Sequence, residues 1–117
     1  MKKENVIVDK TYSFALKIIE IYKHLSIEKK EFILSKQLLR SGTSIGANVE
    51  EAQGGQSQRD FIAKISISYK EARETKYWIH LLTDTEYIKE QESKSILTDC
   101  IEIIKILTTI QKSSKNN

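Results

Sequence analysis

The chain has 117 residues, one domain's worth of sequence. It contains no proline and only four glycines, which excludes a turn-rich β fold of this size and predicts long uninterrupted helices. The net charge of +3 is spread out, with nine Lys/Arg against seven Asp/Glu in residues 1–55 and ten against nine in residues 56–117, so no basic block demands a nucleic acid.

Four amphipathic stretches follow one another. The first covers about residues 6–25, with Phe14, Ile18, Ile21, Tyr22 and Leu25 at helical spacing. Ser26 then offers an N-cap for a second helix over about 28–53. There Leu34, Leu38, Ser41, Ile45, Asn48 and Ala52 step by four and three, the pattern of a bundle seam. The middle of this stretch, residues 40–48, is rich in small and polar side chains of poor helix propensity. It reads either as a loop that splits the helix or as a helix that lets a neighbouring backbone approach closely. The seam spacing runs straight through it, which favours the helix.

Gly54-Gly55 ends that helix. Ser57, with Asp60 three residues later, forms a capping box for a third helix over about 57–84. Phe61, Ile65, Ser68, Ala72, Thr75, Ile79 and Leu82 mark its seam. Ile67, Trp78 and Leu81 fall on another face, a surplus that predicts a subunit contact anchored by Trp78. A polar connection leads to a fourth helix over about 91–112, and residues 113–117 read as a frayed tail. The expected fold is all-α, a single antiparallel up-down four-helix bundle.

Catalytic and metal-binding patterns are missing. There is no phosphate loop, and His24 and His80 stand on different helices, with no Glu three residues before either to make a di-metal motif. The sequence therefore predicts no catalytic residue, no metal and no cofactor. The single cysteine, Cys100, excludes an internal disulfide and sits in an apolar pattern where an inert buried thiol is the ordinary state. The polar start and the lack of a membrane-length apolar run point to the bacterial cytoplasm.

The informative polar residues are Arg40, Asn48, Glu50, Glu51, Lys64, Glu71, Arg73 and Glu74. Ordinary surface pairing explains such residues in most helices. The sharper reading is a structural polar cluster of Asn48, Glu51, Glu71 and Glu74 between helices two and three, with Arg40 or Lys64 as intrachain partners. Asn48, on the seam, is expected to be buried and to fix helix register.

The run Arg40-Ser41-Gly42-Thr43-Ser44-Ile45-Gly46-Ala47-Asn48-Val49-Glu50-Glu51-Ala52-Gln53 resembles the signature of the small "four helix bundle protein" family, also called the 23S rRNA-intervening sequence protein family. Asp60-Phe61-Ile62-Ala63-Lys64, Lys70-Glu71-Ala72-Arg73-Glu74-Thr75 and Tyr77-Trp78-Ile79 are similar to its third helix. The chain departs from many members in having Gly46 where they have proline and Glu51 where they have glycine. The resemblance implies a homo-oligomeric ring, a pentamer, and no enzymatic activity. It also implies partners: rRNA or another structured nucleic acid, or a polymerase such as a reverse transcriptase. The nucleic-acid candidates are Arg40, Arg59, Lys64, Arg73 and Lys76, with Lys105, Lys112 and Lys115 as a second patch. With no recognition motif present, such binding would act through phosphates.

Overall fold

A computed structural model describes residues 3–115. Four helices run in order: α1 (Lys3–Lys23), α2 (Leu34–Gln53), α3 (Gln58–Asp84) and α4 (Glu90–Lys115). Among the described residues there is no strand. Each helix packs antiparallel on the next, and α4 returns against α1 to close the bundle. Cross-helix bonds fix this sense. Thr75 Oγ1 donates to Ser41 Oγ at 2.9 Å and Ser68 Oγ donates to the Ile45 carbonyl at 2.8 Å, so α3 descends as α2 climbs. The longest dimension, 46 Å, is close to the length of one helix of this size, about 1.5 Å per residue.

The core is a column of aliphatic side chains around Phe14, with Ile18, Leu38, Ile45, Ile79 and Leu107 fully buried. Residues 40–48 are helical, and the reason for their small side chains is visible. A Cβ on Gly42 would lie 2.8 Å from Cγ1 and Cγ2 of Ile18, and one on Gly46 would lie 3.2 Å from the Thr11 carbonyl oxygen. The small residues bring α1 onto α2.

The second helix starts at Leu34, six residues later than the spacing predicts. The Ser26 side chain does not cap it; its hydroxyl donates to the Tyr22 carbonyl at 2.9 Å. The chain leaves α1 through a π-helical turn, His24–Glu28, and reverses at Lys30, which has a φ of 56°. A lysine here occupies the left-handed conformation that glycine usually supplies at a helix end, so no glycine announced the break. Glu31 then does the capping. Its carboxylate accepts from the backbone N–H groups of Ser35 (2.7 Å), Leu34 (3.1 Å) and Ile33 (3.3 Å). Burial works to raise the Glu31 carboxyl pKa, but these amides outweigh it and hold it below the usual carboxylate value.

Ser57 caps α3 as its motif predicts, accepting from the Asp60 N–H at 3.1 Å. Residues 113–115, expected to fray, continue α4; residues 116–117 lie outside the described residues. Two features favour this extension. Ser113 and Ser114 line a groove shared with Val6, and Lys112 places positive charge at the helix C-terminus.

Candidate nucleic-acid interface

The seam of α2 keeps Leu38, Ser41, Ile45 and Ala52 buried as the spacing predicts, and departs from it at Asn48. Val49 is fully buried, while Asn48 is half-buried on the α3-facing flank. The Asn48 amide donates to the Ser44 carbonyl at 2.9 Å and to Ser44 Oγ at 3.1 Å, both in its own helix. It therefore ties no two helices together and does not set their register.

The predicted polar cluster separates into two groups. At one end, Arg40 bridges two α3 carboxylates, Glu71 at 3.2 Å and Glu74, and the Trp78 indole N–H donates to the same Glu74 oxygen at 2.8 Å. Three turns along α2, Lys64 pairs with Glu51 at 2.7 Å. Asn48 lies between these groups and joins neither. Arg40 and Lys64, two of the proposed phosphate ligands, are thus already matched by carboxylates.

The remaining cations are distributed differently. Between Asp60 and Asp84 the acids of α3 are Glu71 and Glu74, and both turn toward Arg40 of α2. On α4, Asp99 pairs with Lys17 at 2.5 Å and Glu102 pairs with Lys10, so both turn toward α1; no acid follows Glu102. Between the acid-bearing helix ends, with Asp60 and Asp84 exposed on α3 and Glu90 and Glu92 exposed on α4, the outer faces where α3 and α4 lie side by side are dominated by cations. Lys70 and Arg73 on α3, and Lys94, Lys105 and Lys112 on α4, are exposed, and Lys76 is half-buried against α4. Arg59 opens the stripe and Asp84 closes it. Among the described residues, none of these cations forms an ion pair. Gln111 Nε2 donates to Ser66 Oγ at 3.2 Å across this pair of helices, and the Cys100 thiol of α4 reaches the Ala72 carbonyl of α3 at 3.4 Å. Burial pushes that thiol up to about 12, against the lowering influence of Lys76, so it stays protonated and inert at neutral pH.

Aromatic side chains accompany the cations. The Arg73 guanidinium lies 6.0 Å from the Tyr69 ring centroid, within cation–π range. Tyr77 is 58% exposed and meets Trp78 edge-on at 5.1 Å. Of the predicted interface residues, Ile67 is exposed, while Trp78 and Leu81 are half-buried and Trp78 packs against the core. Sequence reasoning singled out Trp78 and passed over Lys70, Tyr77 and Lys94. The i, i+4 spacing of Tyr69, Arg73 and Tyr77 was the signal for that face.

Hollows flank the bundle. A crevice of about 270 Å³ between α1 and α4 is lined by Asp9, Lys10, Lys17 and Asp99. A larger apolar groove of about 660 Å³ opens at the end where α1, α3 and α4 meet, lined by Val6, Phe61, Ile106 and Ile110 with Lys105 among its polar residues. Among the described residues, no group of three His, Cys, Asp or Glu side chains is placed to hold a metal.

The chain matches the 23S rRNA-intervening sequence protein family over residues 3–109. It belongs to that family. A crystal structure from Bacteroides thetaiotaomicron, described as a protein of unknown function from the S23 ribosomal protein family, is 53% identical to it, with a TM-score of 0.93 over 95% of this chain and 99% of that one. No curated protein matches the chain. This 23S rRNA-intervening sequence family member is thus an all-α four-helix protein whose family role is undefined. No helix of its described residues is long and apolar enough to cross a membrane.

Proposed function

We propose that the chain is a non-enzymatic RNA-binding subunit that contacts phosphates through the outer face of α3 and α4. The observation that carries this reading is the sorting of charge. The mid-helix acids Glu71, Glu74, Asp99 and Glu102 turn to α2 and α1, and Lys70, Arg73, Lys94, Lys105 and Lys112 are left exposed, with Lys76 half-buried beside them, none in an ion pair among the described residues. A surface of this kind gathers a polyanion by releasing its condensed cations. The name of the family, which refers to 23S rRNA, agrees with RNA as the polyanion. Arg59 extends the face, whereas Arg40 and Lys64 are spoken for by carboxylates and contribute little.

Binding of a labelled rRNA hairpin, followed by anisotropy across a salt series, tests the proposal. Four to six phosphate contacts give a log–log salt slope of roughly −4 to −5. The triple variant Lys70→Glu, Arg73→Glu, Lys105→Glu abolishes binding while retaining wild-type helicity, and Arg40→Gln binds as wild type. RNA affinity that ignores salt, or survives the triple variant, overturns the reading.

A second reading has its own observation. Ile27, Phe32 and Ile33 on the α1–α2 connection are 64%, 52% and 76% exposed, and exposed apolar patches usually mark contact surfaces. They support self-association into a ring, a pentamer by the family resemblance, or docking of a polymerase-type protein. Light scattering reads the first directly: a single species at the 13.5 kDa mass of one chain rejects the ring.

A further inference from the structure

The α3–α4 face carries more than charge, and we infer that it binds single-stranded RNA by stacking bases on α3. This inference rests on the phosphate-contact reading above and names the form of RNA that the face takes. Tyr69, Arg73 and Tyr77 stand at i, i+4 and i+8, on one slowly rotating row of the helix. The Arg73 guanidinium lies 6.0 Å from the centroid of the Tyr69 ring, which packs partly on the core, and donates to the Tyr69 hydroxyl at 3.5 Å. Tyr77 is 58% exposed, and Trp78 meets it at an interplanar angle of 72°, an edge contact that leaves a ring face free. The row spans about 12 Å of helix axis at about 1.5 Å per residue. That is the length of three or four stacked nucleotides at about 3.4 Å each.

Planar π surfaces placed between cations are what a single strand uses. Its bases stack on tyrosine rings and guanidinium planes, while lysines alongside follow its phosphates. Lys70 is exposed next to the row on α3, and Lys105 stands opposite it on α4, with Lys94 and Lys112 beyond its two ends. An A-form duplex cannot exploit the row, because its base faces are already stacked on one another and only phosphates and 2′-hydroxyls remain to be touched. Stacking tolerates any base.

The test compares a labelled RNA single strand of about a dozen nucleotides with the blunt duplex of the same sequence, at one fixed salt concentration. The single strand binds at least about tenfold more tightly. Tyr77→Ala loses about tenfold in single-strand affinity and leaves duplex affinity unchanged, Tyr77→Phe binds as wild type, and Tyr77→Leu, which keeps an apolar contact to Trp78, behaves as the alanine variant. Duplex binding as tight as single-strand binding, or full single-strand affinity in Tyr77→Ala, overturns the inference while the phosphate-contact reading stands. Binding to neither RNA overturns both.

Discussion

Gly42 shows how closely a single position constrains this fold. A methyl group there meets two γ-carbons of Ile18 at 2.8 Å, and a β-branched side chain on a helix has little rotamer freedom with which to yield. Overpacking of this kind costs about 1–3 kcal/mol. The gain in helix propensity from glycine to alanine, about 1 kcal/mol, offsets part of it. Gly42→Ala should therefore lose roughly 1 kcal/mol in urea denaturation. A variant more stable than wild type would mean that α1 can step away from α2 at no cost. The small residues of 40–48 were legible as a close-approach segment because the seam spacing crossed them unbroken. The polar partners were legible only in part. Arg40 and Glu71 could be paired from their places on two neighbouring helices, but Asn48 could not be assigned its partner, since a drift of one residue in the seam moves a side chain from the core to a flank. Val49, one position on, took the buried place.

At the scale of the element, α2 is the helix that the sequence placed least well. Its beginning depends on Lys30 adopting a left-handed conformation and on Glu31 capping from three residues before the first helical residue. Neither residue type advertises such a role, and the serine that does, Ser26, is absorbed into the preceding turn. The Glu31 cap has a pH signature. Its carboxyl is held below the ordinary 4.5, so the folded state binds that proton less tightly than the unfolded state does. The stability it contributes is complete above pH 4.5 and is lost as the pH falls through the lowered folded value. Glu31→Gln should cost about 1 kcal/mol at neutral pH, in the range of other N-cap losses. Its acid unfolding curve should be flatter than the wild-type curve below pH 4.5. Parallel acid limbs in the two proteins would remove Glu31 as the cap. The end of α3 uses the same device as the end of α1: Glu86 has a φ of 68°.

For the whole molecule, the four packed seams are unequal. The α2–α3 contact is the most extensive and α1–α4 the least. The latter is spanned by Lys10–Glu102 and Lys17–Asp99, pairs with side chains about a third to a half exposed. Exposed pairs contribute about 0–1 kcal/mol each and weaken with salt. Hydrogen exchange should find α2 and α3 best protected and α1 exchanging through a smaller opening, speeded severalfold by molar salt or by the double variant Lys10→Gln, Lys17→Gln. Equal protection of all four helices in both conditions would show that the bundle opens as one unit. The bundle itself was readable from periodicity, since four consecutive amphipathic helices with seams of this length bury them by packing on one another. The charge-sorted face was not, because it exists only once α3 and α4 are side by side.

The order of packing also governs how the chain finds its structure. Three of the four seams join helices that are neighbours along the chain, across connections of about four to ten residues, so most native contacts close over short loops. Short loops cost little entropy to close, and chains rich in them reach the native state in microseconds to milliseconds. With no proline in the sequence, no slow isomerisation delays that search. The single long-range event is the arrival of α4 on α1. The basic face spans the α3–α4 seam, so the surface that is proposed to hold RNA is built across a connection of a few residues and does not wait for that long-range closure.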